Sequence, residues 1–218
     1  MLIGDLIAGI LSIGIALFFI FPGTRSLYEH AYAAVPAIVS FVKFALLATG
    51  GEWFSRRLKS RSYSLKGFGL FPKAIIWGIL GIFIYLAFQI FGSGVPAAFP
   101  FIKNPTIFGM KLLGAFLTSL MMNLIFSPIL MLTHHLTDNY ITLNNGRFPI
   151  RGIAIRPLLD KIDWQRMWGF VFSKTIPFFW IPAHTITFLL PAQYRTLFAA
   201  FLSIILGILL GIAGTKKR

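Results

Sequence analysis

Six long stretches, apolar around most of their circumference, leave this chain few folds to choose from. They run from Leu2 to Phe21, Val35 to Phe54, Ala74 to Phe91, Leu112 to Leu132, Trp168 to Leu190 and Thr196 to Gly214. A hydrocarbon core of about 30 Å is crossed by about 20 helical residues, so each stretch is long enough to span a bilayer. A helix from a soluble bundle would show one apolar stripe and one polar face, which these stretches lack. Charged residues make up 12% of the chain, about half the share usual in a soluble domain. The expected fold is therefore all-α: an integral membrane helical bundle of six transmembrane helices in a single membrane domain, 1–218. An N-terminal helix and connector, 1–34, precede a helical core, 35–214. A four-span core, with one or two stretches re-entrant or interfacial, is the alternative count.

Between the stretches lie turn and stop signals: Pro22-Gly23, Gly92-Ser93-Gly94-Val95-Pro96, Asn144-Asn145-Gly146 and Pro191. Six crossings then sort the basic residues. One side receives Arg56, Arg57, Lys59, Arg61, Lys66 and Lys73 from the second loop, Arg147, Arg151, Arg156, Lys161 and Arg166 from the fourth, and Lys216, Lys217 and Arg218 from the tail. The other side receives only Arg25, Lys103 and Arg195. By the positive-inside rule both termini face the cytoplasm, and the asymmetry favours an even number of spans. The net charge of +14 is thus read as orientation and contact with anionic lipid, not nucleic-acid binding, for which no motif is present. Leu2 to Phe21 contains Asp5 and lacks a basic leader, so it reads as a retained helix, neither signal nor transit peptide. A bacterial inner membrane is the expected location. The absence of cysteine excludes disulfides, thiolate metal sites and cysteine nucleophiles.

Ionisable groups inside spans carry the functional signal, because an unpaired charge in hydrocarbon costs at least about 2.5–3.5 kcal/mol. Glu52 and Lys174 lie about 3 and 9 Å from the inner ends of their spans, a separation a lysine stem bridges, so an ion pair between them is expected. Lys43 and His184 lie toward the opposite face and Asn123 near mid-membrane. With Arg195 at the helix end they form a candidate solute path, although snorkelling, backbone bonding and interfacial anchoring explain each residue singly. Gly207 and Gly211 form a GxxxG spacing suited to close helix packing within the chain, with homo-oligomerisation as the alternative use. His134, His135 and Asp138 make only a weak metal-like cluster, and a Ser93–His184 hydrolase pairing is weaker still. No metal, cofactor or enzymatic activity is expected.

The segment from Phe178 to Arg195, FFWIPAHTITFLLPAQYR, resembles the family of Mpv-seventeen and the peroxisomal membrane protein twenty-two through Trp180, Pro182, Phe188, Pro191, Tyr194 and Arg195. Pro36 and the Gly50-Gly51-Glu52 helix end, followed by Asn123-Leu124-Ile125-Phe126-Ser127-Pro128, are similar to earlier family segments in the same order. The family's Gln is His184 here and its Asn is Thr187. The resemblance implies a small membrane protein engaged in metabolite passage, several family members being channel-like. The expected function is a channel-like pathway for small solutes. A membrane scaffold or interaction protein is the alternative.

Overall fold

Proline sets several of the helix boundaries. A residue before proline is driven out of the helical region, while proline itself suits the first turn of the next helix. Phe21 accordingly adopts φ −70°, ψ 126°, and Val35 φ −142°, ψ 64°, ahead of Pro22 and Pro36. In the computed structural model, which describes residues 2–102, 106–149 and 154–215, this separates α1 (Leu2–Ile20), α2 (Pro22–Ala34) and α3 (Pro36–Ser60). There follow α4 (Leu70–Ala98), a 3-10 turn at Pro100–Ile102, α5 (Phe108–Ile125), α6 (Ser127–Leu143), α7 (Ile155–Asp160) and α8 (Trp164–Arg166). A π-helical segment (Met167–Trp180), α9 (Ile181–Leu189) and α10 (Ala192–Thr215) complete the chain. All regular elements among the described residues are helical.

Several boundaries differ from those read in the sequence. The connector after the first stretch is itself a helix, α2. Gly92 to Pro96 does not stop its helix, which continues to Ala98; in a helix near its C-terminal end, the missing Pro96 donor is a local loss. Leu112 to Leu132 is not one regular span. Phe126 joins α5 to α6 in a helical conformation, its N–H donating to the Met122 carbonyl at 2.8 Å. Pro128 cannot donate to the carbonyl four residues back, so a helix break falls here. Asn144-Asn145-Gly146 is a turn, with positive φ at Asn145 (53°) and Gly146 (83°). Pro191 follows the extended Leu190 and separates α9 from α10.

The stretch containing Pro177 and Pro182 winds mostly as a π-helix. The Ile181 N–H donates to the carbonyl of Ile176, five residues back, and the Thr175 hydroxyl donates likewise to Phe170 at 3.3 Å. Wide turns of this kind are rare and concentrate where helices serve a purpose beyond packing.

Among the described residues three helices, α3, α4 and α5, are long and apolar enough to cross a membrane. The distribution of side chains fits a lipid solvent. Large apolar residues such as Leu46, Phe71 and Phe178 are exposed, while Ser40, Ser119, Asn123 and Thr187 are wholly buried. A water-soluble domain shows the opposite tendency, since burial of polar groups needs internal partners. The chain is a helical membrane protein.

Close backbone approaches hold the helices. A Cβ on Gly81 of α4 would lie 2.7 Å from the Cβ of Phe44 on α3, and one on Gly51 of α3 would lie 3.0 Å from the Ile204 Cα on α10. Gly207 belongs to the same α3–α10 seam: Ser55 donates to its carbonyl at 2.9 Å. Intramolecular packing thus accounts for Gly207; Gly211 lies on the same helix, α10.

Polar contacts also define two ends of the bundle. Asp5 at the start of α1 meets Arg57 near the end of α3 (2.9 Å) and Tyr63 of the following loop (2.7 Å), and Lys73 at the start of α4 meets Asp138 late in α6. At the other end, Tyr28 and Tyr32 of α2 donate to the carbonyls of Gln193 and Ala192, where α10 begins. Replacing Gly81 with Val is expected to cost about 1–3 kcal/mol through overpacking, seen as a lower Tm in detergent. A Cβ on Gly94 meets nothing within 4 Å, so Gly94→Ala is expected to leave Tm unchanged or slightly raised.

Candidate functional site

Each buried polar group in this bundle needs a partner supplied by another helix, and three such groupings follow one another along it. At the α2 end, Lys43 is buried with its ammonium donating to Tyr28 Oη at 3.0 Å and Thr196 Oγ1 at 2.5 Å. It also lies 5.2 and 4.9 Å from the centres of the Tyr28 and Tyr32 rings, where the negative ring faces attract a cation. Burial, then the neighbouring Tyr32, Tyr194 and Glu29, raises the Tyr28 phenol above its ordinary value. Tyr28 therefore stays protonated, accepting from Lys43 while donating to Gln193. Arg195 is part of the same end, but its guanidinium turns to backbone: Nε donates to the Leu190 carbonyl at 3.0 Å and Nη2 to that of Phe188 at 3.3 Å. It thereby satisfies carbonyls left open where Pro191 ends α9. The Tyr194 hydroxyl donates to the Glu29 carboxylate.

In the middle, Ser119, Asn123 and Ser127 share one face at intervals of four. Asn123 is wholly buried. Its amide nitrogen lies 2.8 Å from the Ser119 carbonyl and 3.0 Å from His184 Nδ1, while its oxygen accepts from Ser127 Oγ at 2.8 Å and lies 3.1 Å from His184 Nδ1. Ser119 Oγ donates to the Ile181 carbonyl at 2.7 Å. This is a carbonyl that Thr185 also addresses, at 2.8 Å. The α5–α9 contact is thus polar at its centre. Trp180 stacks on His184 (ring centres 5.1 Å apart, 27° between planes), and Phe88 meets both His184 and Phe188 edge-on.

At the other end, Lys73 donates to both Glu52 and Asp138, joining α3, α4 and α6. Trp77 Nε1 donates to the second Glu52 oxygen at 3.0 Å, and its ring lies 4.3 Å from that of His134. The expected Glu52–Lys174 pair is corrected by this arrangement. Depth along a span can be read from sequence, but pairing also requires neighbouring helices. Glu52 faces α4, and Lys174 is exposed on the π segment. Lys73, assigned to the loop from sequence, is buried in the first turn of α4.

Between the central and lower groups lies a cavity of about 60 Å³, counted as space open to water centres. Trp77, Phe126, Ser127, His134, Trp180 and His184 are among its thirteen lining residues. None of the thirteen is Lys, Arg, Asp or Glu. Trp180 Nε1 and His134 Nδ1 are buried without hydrogen-bond partners among the described residues.

The structure thus brings Asn123 and His184 together, sets Lys43 in a separate aromatic nest above them, and uses Arg195 to cap a helix. Asp138, the acidic member of the metal-like cluster, is engaged by Lys73, and Ser93 Oγ donates to the Gln89 carbonyl at 2.8 Å. Ser119 and Ser127 were missed from sequence, although their spacing of four residues on either side of Asn123 was a legible signal. Tyr28 carried no such signal, because its partners lie on other helices, Lys43 on α3 and Gln193 at the start of α10. No protein-family model matches this chain, and no curated protein or solved structure matches it.

Removing Lys73 leaves Glu52 and Asp138 facing one another without a cation. Lys73→Met is expected to cost about 3 kcal/mol, toward the low end for a buried pair because both carboxylates keep some exposure. The loss should largely disappear in a Glu52→Gln, Asp138→Asn background, whereas Lys174→Met should change stability by less than about 0.5 kcal/mol. Thermal unfolding of the purified variants in detergent checks all three.

Proposed function

We propose that this protein is a gated pathway for small solutes across a membrane, formed inside a bundle of six crossings. The observation that carries this reading is the alignment of the Lys43 nest, the Asn123–His184 pair, the cavity and the Lys73 bridge through one bundle. Intramembrane ionisable and polar groups that converge on a cavity are the usual marks of a solute route. The crossings are α1, α3, α4, α5 with the start of α6, the π segment with α9, and α10. The resemblance of Trp180 to Arg195 to the Mpv-seventeen family supports the same reading, with this chain as a divergent member, and gives no reason to expect catalysis.

The route is closed in this conformation. Phe44, Phe126 and Leu130 surround the cavity, and the Lys73 bridge ties α6 to α3 and α4 below it. The break at Phe126–Pro128 is the natural hinge for α6, since an interrupted hydrogen-bond ladder bends most easily. Opening therefore consists of releasing α6 from Lys73 and swinging it outward. The basic loops and both termini belong on the cytoplasmic side of a bacterial inner membrane, against anionic headgroups.

Reconstitution in liposomes tests the proposal. Release of entrapped small solutes should depend on the protein, fall toward the level of empty liposomes in Asn123→Leu, His184→Leu, and rise in Lys73→Met. No protein-dependent release across a wide range of membrane potential and pH would remove the pathway and favour a scaffold.

A further inference from the structure

His184 is held by one ring nitrogen only. Nδ1 lies against both ends of the Asn123 amide, 3.0 Å from the nitrogen and 3.1 Å from the oxygen, and Nε2 has no hydrogen-bond partner among the described residues. The surroundings satisfy Asn123 in either arrangement. If the amide nitrogen donates to Nδ1, its other hydrogen goes to the Ser119 carbonyl and the oxygen accepts from Ser127. If Nδ1 donates to the oxygen, that oxygen accepts twice, from His184 and Ser127, while the nitrogen serves the Ser119 carbonyl and Ser119 Oγ, at 2.8 and 3.2 Å. A neutral imidazole donates from one nitrogen and accepts at the other. The network therefore permits both tautomers, and Nε2 is free to donate or to accept.

The cavity that His184 lines is otherwise almost wholly apolar, walled by side chains such as Ile84, Met122 and Leu130 and by the Trp77 and Trp180 rings. Water centres reach about 60 Å³ of it, and because the atoms of an occupant extend beyond the space its centre can reach, the cavity has room for a single small ring. Waters alone fit poorly there, since each requires two to four polar partners. Trp180, which covers one face of His184, also holds an unpartnered Nε1–H within this wall.

We propose that this cavity is a binding site for a small uncharged molecule with a ring-sized apolar body and one polar end, a hydroxyl or carbonyl, received by His184 Nε2. A hydroxyl is met by either tautomer and a carbonyl by the one that carries hydrogen on Nε2. Anions are refused, because no cation lines the cavity and Lys73 is occupied by two carboxylates. As a station on the solute route, the site rests on the function proposed above; as a binding site, it stands on the cavity and the Asn123–His184 geometry.

Phenol, toluene and benzoate are suitable probes, titrated calorimetrically into the full-length protein in nanodiscs and corrected with empty nanodiscs. Phenol should bind saturably at one per chain, toluene about tenfold more weakly for want of the hydrogen bond, and benzoate not measurably. His184→Leu should lose about tenfold in phenol affinity and His184→Gln should retain most of it, because Gln also offers a donor and an acceptor. Ala199→Leu, which fills the cavity without touching the polar network, should abolish binding of phenol and toluene alike. Equal binding of phenol and toluene, benzoate binding as tightly as phenol, or phenol binding unaffected by Ala199→Leu would overturn the site, even if His184→Leu fails to fold. Phenol binding without liposome flux leaves the site standing and removes the pathway. Flux without saturable phenol binding does the reverse.

Discussion

A polar group in hydrocarbon finds no water, so it must be completed by the protein, and the architecture follows from how few ways this can be done. Lys73 satisfies the requirement by drawing carboxylates from two other helices, Glu52 on α3 and Asp138 on α6. Lys43 meets it without a carboxylate, through two hydroxyl oxygens and two tyrosine faces. Asn123 meets it with a ring of short-range bonds to its own helix, to Ser127 at the start of α6 and to His184 on α9. Each solution joins helices distant in sequence, and packing between small residues at Gly51 and Gly81 brings the backbones close enough for the joins to form.

Irregular backbone is placed where those joins need it. The Phe126–Pro128 break lies one turn after Asn123, between α5, whose Asn123 bonds His184, and α6, whose Asp138 meets Lys73. On the facing wall, the π segment ends at Trp180, one turn before His184. Pro191 frees carbonyls that Arg195 then caps, and the same turn presents the Gln193 carbonyl to Tyr28. In lipid such interruptions persist only where neighbouring side chains satisfy the released backbone groups. Arg195 supplies that satisfaction here, donating to the carbonyls of Leu190 and Phe188.

The cavity follows from the same constraints. Two of its aromatic walls are held by polar groups, Trp77 directly by Glu52 and Trp180 through its stack on His184, which Asn123 anchors. Large planar groups fixed in this way do not collapse easily into the space between them. The result is an apolar chamber with one adaptable polar atom, set between a cationic nest and a three-way ion bridge.

Helical class, the long apolar stretches and the turns at Pro22, Asn144 to Gly146 and Pro191 were already determined by the sequence, because period, length and proline chemistry act locally. The sequence also singled out Asn123, near mid-membrane, and His184, toward one face, as polar groups of one candidate path. Which groups meet was decided only by tertiary structure. Depth along a helix comes from counting residues, whereas the direction a side chain faces and the identity of the adjacent helix come from packing. That is why Glu52 finds Lys73 instead of Lys174, why Arg195 turns back onto the backbone, and why a chamber exists beside His184.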